Sequence, residues 1–457
     1  MSQSFDAIII GTGQAGPSLA VKLANAGQKV AIIERGRFGG TCVNTGCIPT
    51  KAMVASARAA YVAQRGADFG VVIPPGMHVD MKRVKARKDE ISAASRNGVE
   101  RMLERTANCT VYRGQARFLS DRSVEVGGDV LTAGQIFINV GTRASTPAIP
   151  GLDKIQYLTN SSILEIDFAP KHLMVVGGSY VGLEFGQMFR RFGSDVTIVE
   201  RGPYLLKRED QDVSMAIRDI LLNEGIAVQL NSECVELDKI GDEIELRTNG
   251  AGSPVVHGTH VLIAAGRRPN TGDLGLEKTS IRCNARGYVE VDDQLRTSAA
   301  GVWALGDCNG RGAFTHTSYN DFEIVSGNLL NGENRRVSDR LTAYAVYIDP
   351  PLGRVGMTEA QVRSSGRKAL MAKRPMTRVG RAYEKSETQG FMKVLVDADS
   401  QEILGAAILG TGGDEAIHCI LDVMYAKSPY TVLQRAVHIH PTVSELIPTM
   451  LGDLQPL

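Results

Sequence analysis

Two short runs of aliphatic residues, each followed by a glycine-rich turn, set the pattern of this 457-residue chain. Residues 6–10 and 173–176 are almost wholly apolar, and each run leads through its turn into a helical stretch. A second β-branched run then follows, at residues 29–34 and 195–200, so the second copy repeats the spacing of the first. An apolar strand, a turn, a helix and a second strand form a βαβ unit. The pattern therefore predicts two such units.

Each copy carries the residues that a dinucleotide site requires. The first glycine allows a tight turn, the second lets the backbone approach a pyrophosphate, and the third lets the helix pack on the strand. An acidic residue closes each second strand, where its carboxylate can accept hydrogen bonds from a ribose. Ser179 replaces the middle glycine of the second copy, and its hydroxyl can donate to a phosphate. The two sets are Gly11, Gly13, Gly16 and Glu34, and Gly177, Ser179, Gly182 and Glu200.

The rest of the chain predicts further domains around these units. Residues 58–105 have a charged, helical pattern, and residues 114–139 have the pattern of short strands. Proline and glycine interrupt the chain at 140–151 and again at 265–270, and from about Leu341 strands alternate with helices. We expect an α/β protein with two Rossmann-like domains and a C-terminal α+β domain. The expected boundaries are 1–149, 150–268, 269–338 (a second segment of the first domain) and 339–457.

Composition excludes several partners. The net charge is +1, from 51 Lys and Arg against 50 Asp and Glu, so no overall field favours nucleic acid or an anionic membrane. No stretch reaches the roughly 18 apolar residues of a transmembrane helix. The first residues lack the positive segment of a secretory signal, so we expect a cytoplasmic protein.

Cys42 and Cys47 are the only close pair among seven cysteines, and they follow directly on Glu34 and its strand. In a regular helix, residues five apart rise about 7.5 Å, whereas a disulfide needs Cα atoms within about 7 Å. The pair can therefore bond only if the turn is distorted, and Gly46 and Pro49 provide the freedom and the break. Zinc would need two more nearby ligands, which are missing, so no metal site is expected. The other five cysteines are interpreted as core thiols: Cys109, Cys234, Cys283, Cys308 and Cys419.

Four motifs together resemble one family along the whole chain. Residues 39–51 read Gly-Gly-Thr-Cys-x4-Cys-x-Pro-x-Lys, and residues 265–270 read Ala-Gly-Arg-Arg-Pro-Asn. Residues 297–307 read Thr-x4-Val-Trp-Ala-x-Gly-Asp, and residues 440–445 read His-Pro-Thr-x2-Glu. The chain resembles the flavoprotein, or class I pyridine nucleotide, disulfide reductases. It looks most similar to mercuric-reductase-like and reactive-chlorine-resistance flavoproteins, and next to dihydrolipoamide dehydrogenase.

The resemblance implies two cofactors and a set of contacts for each. FAD would bind the first unit, and NADH or NADPH would bind the second. The implied FAD contacts are Gly11, Gly13, Gly16, Glu34, Gly40, Thr41, Lys51, Ala116, Gly141, Asp307 and Thr315. The implied nicotinamide nucleotide contacts are Gly177, Gly178, Ser179, Tyr180, Val181, Gly182, Glu200, Arg201, Val235 and Gly266.

The resemblance also implies catalytic roles. Cys47 would face the flavin and Cys42 would be the outer thiol that meets the acceptor. Lys51 would lie near the flavin and pair with Glu184. His440, oriented by Glu445, would act as acid and base at the cysteines of the other subunit. A homodimer that associates through the terminal domain is therefore implied.

The electron acceptor and the choice of nucleotide stay open. Glu200 favours NADH because a carboxylate repels a 2′-phosphate, whereas Arg201 and Lys207 keep NADPH possible. The chain ends without the vicinal cysteines typical of mercuric reductases. The leading hypothesis is a reductase of a disulfide, a metal ion or another oxidised, thiophilic acceptor, with dihydrolipoamide dehydrogenase second. A flavin-based redox sensor or scaffold subunit is the third, which the His440–Glu445 dyad disfavours.

Overall fold

The computed structural model describes residues 2–252 and 254–457. Its first βαβ unit lies in a sheet of strand order β3-β2-β1-β6-β5-β4, in which the central strand β1 is buried on both faces from Ala7 to Ile10. Helices α1 and α4 pack against this sheet, and α2 and α3 pack against α4. The elements are β1 (Ser2–Ile10), α1 (Ala15–Asn25), β2 (Val30–Glu34), α2 (Gly40–Asn44), α3 (Cys47–Gln64), α4 (Met81–Arg105), β3 (Cys109–Arg113), β4 (Arg117–Ser120), β5 (Ser123–Val126), β6 (Asp129–Ile138) and β7 (Thr142–Ala144).

The second βαβ unit forms a parallel sheet of order β10-β9-β8-β14. A separate antiparallel sheet of order β11-β12-β13 packs beside it, and β15 pairs with β7. The elements are β8 (His172–Val176), α5 (Tyr180–Phe192), β9 (Asp195–Val199), α6 (Gln211–Asn223), β10 (Ala227–Gln229), β11 (Cys234–Ile240), β12 (Glu243–Thr248), β13 (Val255–Gly258), β14 (His260–Ile263) and β15 (Arg267–Pro269).

The chain then returns to the first sheet. Strand β16 (Val302–Ala304) pairs in parallel with β6, and helix α7 (Thr315–Asn331) packs against α1. Residues beyond the second unit thus complete the first one. Short 3-10 helices occur at Gly66–Phe69, Leu152–Lys154, Ile163–Glu165, Leu276–Lys278, Gly306–Asn309, Val337–Asp339 and Met376–Arg378.

The terminal domain is built on one antiparallel sheet of order β17-β18-β21-β20-β19-β22. Strands β20 and β21 are buried along their whole length, so helices cover one face and the two βαβ units approach the other. The elements are β17 (Ala343–Val346), β18 (Leu352–Gly356), α8 (Glu359–Ser364), β19 (Ala369–Pro375), α9 (Gly380–Glu384), β20 (Phe391–Asp397), β21 (Ile403–Leu409), α10 (Gly413–Ala416), α11 (His418–Tyr425), α12 (Thr431–Gln434), α13 (Leu446–Leu451) and β22 (Gln455–Pro456).

The two βαβ units repeat each other down to their strand register. In the first unit Ala7 pairs with Val30, and in the second the equivalent residue, Leu173, pairs with Val196. Leu173 is the counterpart of Ala7 and Val196 is the counterpart of Val30, so the same two positions pair in both units. The predicted repeat is therefore present in the hydrogen bonding as well as in the residue pattern.

One predicted element is wrong in its extent. The pattern predicted helix throughout residues 58–105, but α3 ends at Gln64 and α4 begins at Met81. Gly70 and Gly76 adopt φ values of +74° and +93°, which an α-helix does not accommodate. Asp80 caps α4 by accepting a hydrogen bond from the Arg83 N–H.

Two kinds of feature are absent from the described part of the chain. Within residues 2–252 and 254–457, no helix combines the length and hydropathy needed to span a bilayer. Over the same ranges, no group of three or more His, Cys, Asp or Glu side chains is arranged to hold a metal ion.

Candidate active site

An open cleft lies at the carboxyl ends of β1, β2 and β6. Parallel strands direct their carboxyl ends and the following turns to this edge, where α/β folds bind dinucleotides. Seven of the eleven predicted FAD contacts line this one cleft: Gly11, Gly13, Glu34, Gly40, Thr41, Ala116 and Gly141.

Three glycines in or beside the cleft lie where a side chain would collide with the backbone. Gly11 has φ +102°, and a Cβ at this position would lie 2.4 Å from the Asn139 carbonyl oxygen. A Cβ at Gly16 would lie 2.3 Å from the Gly11 carbonyl oxygen, and one at Gly40 would lie 2.8 Å from the Gly13 Cα. The backbone is therefore packed as closely as a dinucleotide turn requires, and the residues present fit FAD.

Asn139 is a residue that the motifs missed. Its Oδ1 accepts a hydrogen bond from the Gly16 N–H at 2.9 Å, and its Nδ2 donates to the Leu305 carbonyl at 3.0 Å. The buried amide thus joins the start of α1 to the end of β16. The only signal in the sequence was its place at the end of a buried strand, and a contact with so distant a residue as Leu305 cannot be read from that.

Two carboxylates hold their turns in the same way. The Oε2 of Glu34 accepts a hydrogen bond from the Thr12 N–H at 3.0 Å, and its Oε1 accepts one from Gly36 at 2.8 Å. The Oε2 of Glu200 accepts one from the Gly178 N–H at 2.7 Å, and its Oε1 accepts one from Gly202 at 2.8 Å. Each strand-closing carboxylate therefore faces the glycine turn of its own unit.

The second turn, between β8 and α5, closes like the first. Gly177 has φ +116°, and a Cβ at Gly182 would lie 2.1 Å from the Gly177 carbonyl oxygen. The Ser179 side chain makes no capping hydrogen bond to α5, so its hydroxyl stays available. Gly178 also lies in this turn, and Tyr180 and Val181 are the first two residues of α5.

The remaining predicted nucleotide contacts lie around this turn. Gly266, with φ +122°, follows β14, and a Cβ at Gly177 would meet the nearby Ala264 carbonyl at 2.6 Å. Arg201 is exposed directly after Glu200. Val235 is exposed on β11, three residues after Ser232, whose N–H donates to the Glu200 carbonyl.

Asp307 lies beyond the cleft, beside the β7–β15 pair. Its Oδ2 accepts a hydrogen bond from the Thr142 hydroxyl at 2.8 Å, and Thr142 in turn accepts one from the Arg267 guanidinium at 2.8 Å. Burial raises the pKa of the Asp307 carboxyl, against the opposing effects of Thr142 and Arg267.

The two predicted redox cysteines lie on separate helices, a short one and a long one. Cys42 is in α2 and Cys47 is the first residue of α3, with the break at Thr45 and Gly46. A Cβ at Gly46 would lie 2.8 Å from the Thr41 carbonyl oxygen, so the glycine permits this close return of the chain. The expected distortion is present. Pro49, however, does not break the helix but lies in the first turn of α3, where its missing N–H is tolerated.

The environment of the pair makes one thiol much more acidic than the other. A hydrogen bond with Cys42 lowers the pKa of Cys47 to about 6, assisted by Thr315 and by the charge of Lys51. The same bond, together with burial, raises the pKa of Cys42. The Cys47 Sγ lies 3.2 Å from the Thr315 Oγ1, at the first residue of α7. Thr315, predicted as an FAD contact, therefore also contacts the redox thiol.

Lys51 follows Cys47 by one turn of α3 and connects the two βαβ units. Its Nζ lies 2.6 Å from the Oε2 of Glu184, a residue of α5 whose side chain is 4% exposed. The Tyr347 N–H donates to the other Glu184 oxygen at 3.0 Å, and the Lys51 Nζ lies 4.5 Å from the centre of the Tyr347 ring. The predicted Lys51–Glu184 pair is present.

His440 and Glu445 form the predicted dyad, but not at the cysteines of their own chain. The His440 Nδ1 lies 2.9 Å from the Glu445 Oε2, and the His440 side chain is 80% exposed. Within the described residues, no hydrogen bond connects His440 to Cys42 or Cys47. Val437 and Ile439 beside it are 99% and 79% exposed, which is typical of an interface.

The five other cysteines do not all match the prediction of core thiols. Cys234 and Cys308 are buried, and burial raises the pKa of Cys308 to about 12. Cys109 and Cys419 are half-buried. Cys283 is exposed, so the prediction is wrong there, because the segment after Lys278 runs along the surface.

Two family models match this chain. Residues 5–321 match the pyridine nucleotide-disulphide oxidoreductase model, and residues 342–451 match the dimerisation domain of the same oxidoreductases. The chain belongs to the pyridine nucleotide-disulphide oxidoreductase family. It is an NAD(P)H-dependent oxidoreductase that uses FAD, and its dimerisation domain supports a homodimer.

Three relatives show the range of the family around this chain. A probable pyridine nucleotide-disulfide oxidoreductase, RclA of Escherichia coli, is 37% identical over 96% of this chain and 97% of its own. A mercuric reductase of Streptomyces lividans is 31% identical, over 97% and 94%. A dihydrolipoyl dehydrogenase of Cupriavidus necator is 31% identical, over 98% and 97%. A solved Cu(II) complex of the Escherichia coli RclA, an HOCl-induced flavoprotein disulfide reductase, superposes with a TM-score of 0.90 at 35% identity, covering 98% of this chain and 99% of that one.

Proposed function

We propose that the chain reduces a small thiophilic acceptor, a metal ion such as Cu(II) or a disulfide, with electrons that reach Cys42 and Cys47 from NAD(P)H. The observation that carries the proposal is the unequal thiol pair, in which Cys47 has a pKa of about 6 and that of Cys42 is raised. Bound FAD supplies the two-electron relay between the nicotinamide and this pair.

The chain's own residues divide the work. Lys51, held by Glu184, places a positive charge beside Cys47, and Thr315 donates to its thiolate. Cys42 is the outer thiol. Its raised pKa keeps the proton until a base removes it, and His440 of the second subunit is the base we propose, with Glu445 orienting the ring. Glu34 and Glu200 fix the two ribose ends.

The reaction balances for both acceptor classes. Two Cu(II) ions take one electron each from the dithiol, which becomes the disulfide and releases two protons. With a disulfide acceptor, the Cys42 thiolate attacks one sulfur and releases the other as the first thiol, which leaves a mixed disulfide. The Cys47 thiolate then attacks the Cys42 sulfur, forms the Cys42–Cys47 disulfide and releases the second thiol. Copper is our first choice because thiolates suit Cu(I), and because a relative with a TM-score of 0.90 has been solved as a Cu(II) complex.

We also propose NADH as the preferred nucleotide and the cytoplasm as the location. Both Glu200 oxygens face the turn, bound by Gly178 and Gly202, so the carboxylate lies where a 2′-phosphate would be repelled. The five cysteines other than Cys42 and Cys47 are far apart in the sequence and unpaired in the structure, which suits a reducing compartment.

The test is steady-state NADH and NADPH oxidation by the FAD-loaded protein with Cu²⁺, Hg²⁺, glutathione disulfide and lipoamide as acceptors. We expect Cu²⁺ or a disulfide to have the highest kcat/KM, and Cys42→Ser to abolish transfer without loss of bound FAD. Dihydrolipoamide with NAD⁺ as by far the best pair would establish the second candidate, which the Cupriavidus necator relative favours. Slow turnover with every acceptor would indicate a redox sensor instead.

A further inference from the structure

A buried cluster of charges lies between the second βαβ unit and the terminal sheet. Glu209 and Asp210 come from the unit, and Arg354 on β18 and Lys393 on β20 come from the sheet. All four side chains are at most 4% exposed. Neither the nucleotide motifs nor the cysteine chemistry accounts for them.

The contacts within this cluster are specific. The Arg354 Nε donates to the Glu209 Oε2 at 3.0 Å, and its Nη2 donates to the Asp210 Oδ2 at 2.9 Å. Lys393 lies 2.8 Å from the same Asp210 oxygen. The Tyr344 hydroxyl, on β17, donates to the second oxygen of Glu209. Both Glu209 oxygens are bound to the terminal sheet, so any shift of this side chain would break at least one of these hydrogen bonds.

Glu209 ends the loop that begins at Glu200. Within this loop the Leu206 N–H donates to the Gly178 carbonyl at 2.9 Å, and the Glu209 N–H donates to the Leu206 carbonyl at 2.7 Å. Leu205 is buried, and its Cδ2 lies 2.6 Å from where a Cβ of Gly178 would be. The loop therefore rests on the glycine turn that faces Glu200, and Glu209 fastens its far end.

Such a cluster fixes geometry more than it adds stability. Burying charges costs solvation that the ion pairs only partly return, so a buried network is a weak stabiliser but can enforce one arrangement. What it enforces here is the position of the loop over the second nucleotide turn. The Phe314 ring adds a second contact between the terminal sheet and this turn. It stacks on the Tyr344 ring with 5.5 Å between ring centres, and its centre lies 6.1 Å from that of the Tyr180 ring.

We propose that Glu209 is a positioning residue for the nicotinamide nucleotide: bound to Arg354 and Tyr344 of the terminal sheet, it holds the loop of residues 201–208 against Gly178 and Glu200. This inference rests on the proposed assignment of that turn to the nicotinamide nucleotide. Both oxygens of Glu209 already bind the terminal sheet, so we do not assign this side chain a contact with the nucleotide. It acts through the loop, so its loss weakens binding and leaves the chemistry at the cysteines unchanged.

The experiment measures binding of ADP-ribose to the FAD-loaded protein by calorimetry, since ADP-ribose meets the loop but cannot be reduced. We expect Glu209→Gln to raise its Kd about tenfold. The KM for NADH should rise in parallel while kcat stays unchanged. Glu209→Asp, which keeps the charge, should recover part of the affinity. Tyr344→Phe, which deletes one hydroxyl and is not expected to unfold the protein, should weaken binding less.

Glu224→Gln is the matched control. Glu224 is also a carboxylate of the second unit, half-buried and paired with Arg191 at 2.7 Å, and Arg191 contacts Asp349 of the terminal domain. Among residues 2–252 and 254–457, the hydrogen bonds and ion pairs of its side chain go to Gln187 and Arg191 and not to the loop. Equal Kd values for wild type and Glu209→Gln, or equal weakening in Glu209→Gln and Glu224→Gln, would overturn the proposal. Wild-type protein that bound no ADP-ribose and oxidised neither nucleotide would instead overturn the proposed function, and this inference with it.

Discussion

At the scale of single residues, the difference between Cys42 and Cys47 matters most. The spacing along the sequence does not distinguish the two cysteines. The structure places Cys47 against Thr315 and near Lys51, and it places Cys42 within hydrogen-bonding reach of Cys47. A donor and a cation both favour a thiolate, so the negative charge settles on Cys47. Cys42 then carries the shared proton.

In the reduced protein, one thiol should therefore ionise with a pKa well below the ordinary range of thiols. A thiol of lowered pKa is ionised above that value and loses its charge as the pH falls through it, so the ultraviolet absorbance of the thiolate should increase with a midpoint at about pH 6. Cys47→Ser should remove this phase. The measurement is the thiolate absorbance of the reduced, FAD-loaded protein as a function of pH, taken as the difference from the Cys47→Ser variant.

Two variants separate the hydrogen bonds that lower the pKa of Cys47, which are those with Cys42 and Thr315. Cys42→Ala removes the largest one, so the midpoint should rise toward the ordinary value of 9.0. Thr315→Val removes a smaller one and should raise it less. A midpoint that stayed near 6 in both variants would mean that neither hydrogen bond holds the thiolate.

At the scale of elements, the glycine turns decide where each helix begins. Gly16 in α1 and Gly182 in α5 occupy equivalent places, and each faces the carbonyl oxygen of the first glycine of its turn. In the first unit, a Cβ at Gly13 would lie 3.0 Å from the Asn139 side chain. Asn139 belongs to the first unit alone, so the second unit tolerates Ser179 at the equivalent position.

Replacing two helical glycines should therefore have opposite effects. Gly16→Ala should cost about 1–3 kcal/mol of unfolding free energy, because its methyl group would force the turn apart, and should lower the bound FAD. Gly98→Ala in α4 meets nothing within 4 Å, so it should add about 0.5–1 kcal/mol. Thermal unfolding with the flavin content of each variant checks this. Equal effects would mean that the close approach at Gly16 is not the reason for the glycine.

At the scale of the whole molecule, we propose that the site is divided between two copies of the chain. The Cys42–Cys47 pair and the His440–Glu445 dyad are both formed within one chain, yet no hydrogen bond between them appears among residues 2–252 and 254–457. The exposed dyad lies in the matched dimerisation domain, beside the exposed Val437 and Ile439. A second copy is what can bring the two halves together.

Mixed dimers test this arrangement. Cys42→Ser and His440→Gln should each be inactive alone, because every active site lacks one part. After subunit exchange, half of the dimers are hybrids with one complete site, so about a quarter of the wild-type activity should return. Activity that did not return, in hybrids shown to have formed by native mass spectrometry, would place both groups in one subunit.

The sequence by itself determined the parts. The two matching glycine motifs, the Cys42–Cys47 spacing and the His440–Glu445 motif are local patterns, and backbone sterics tie such patterns to turns and helices directly. Three things were decided only by the tertiary structure: the bridge that Asn139 forms, the contact of Thr315 with Cys47, and the fastening of Glu209 to Arg354. Each joins residues that are far apart in the chain, and a side chain's partner at such a separation depends on how the sheets pack. The unequal pKa values of the two cysteines follow from such contacts, so no spacing along the chain could reveal them.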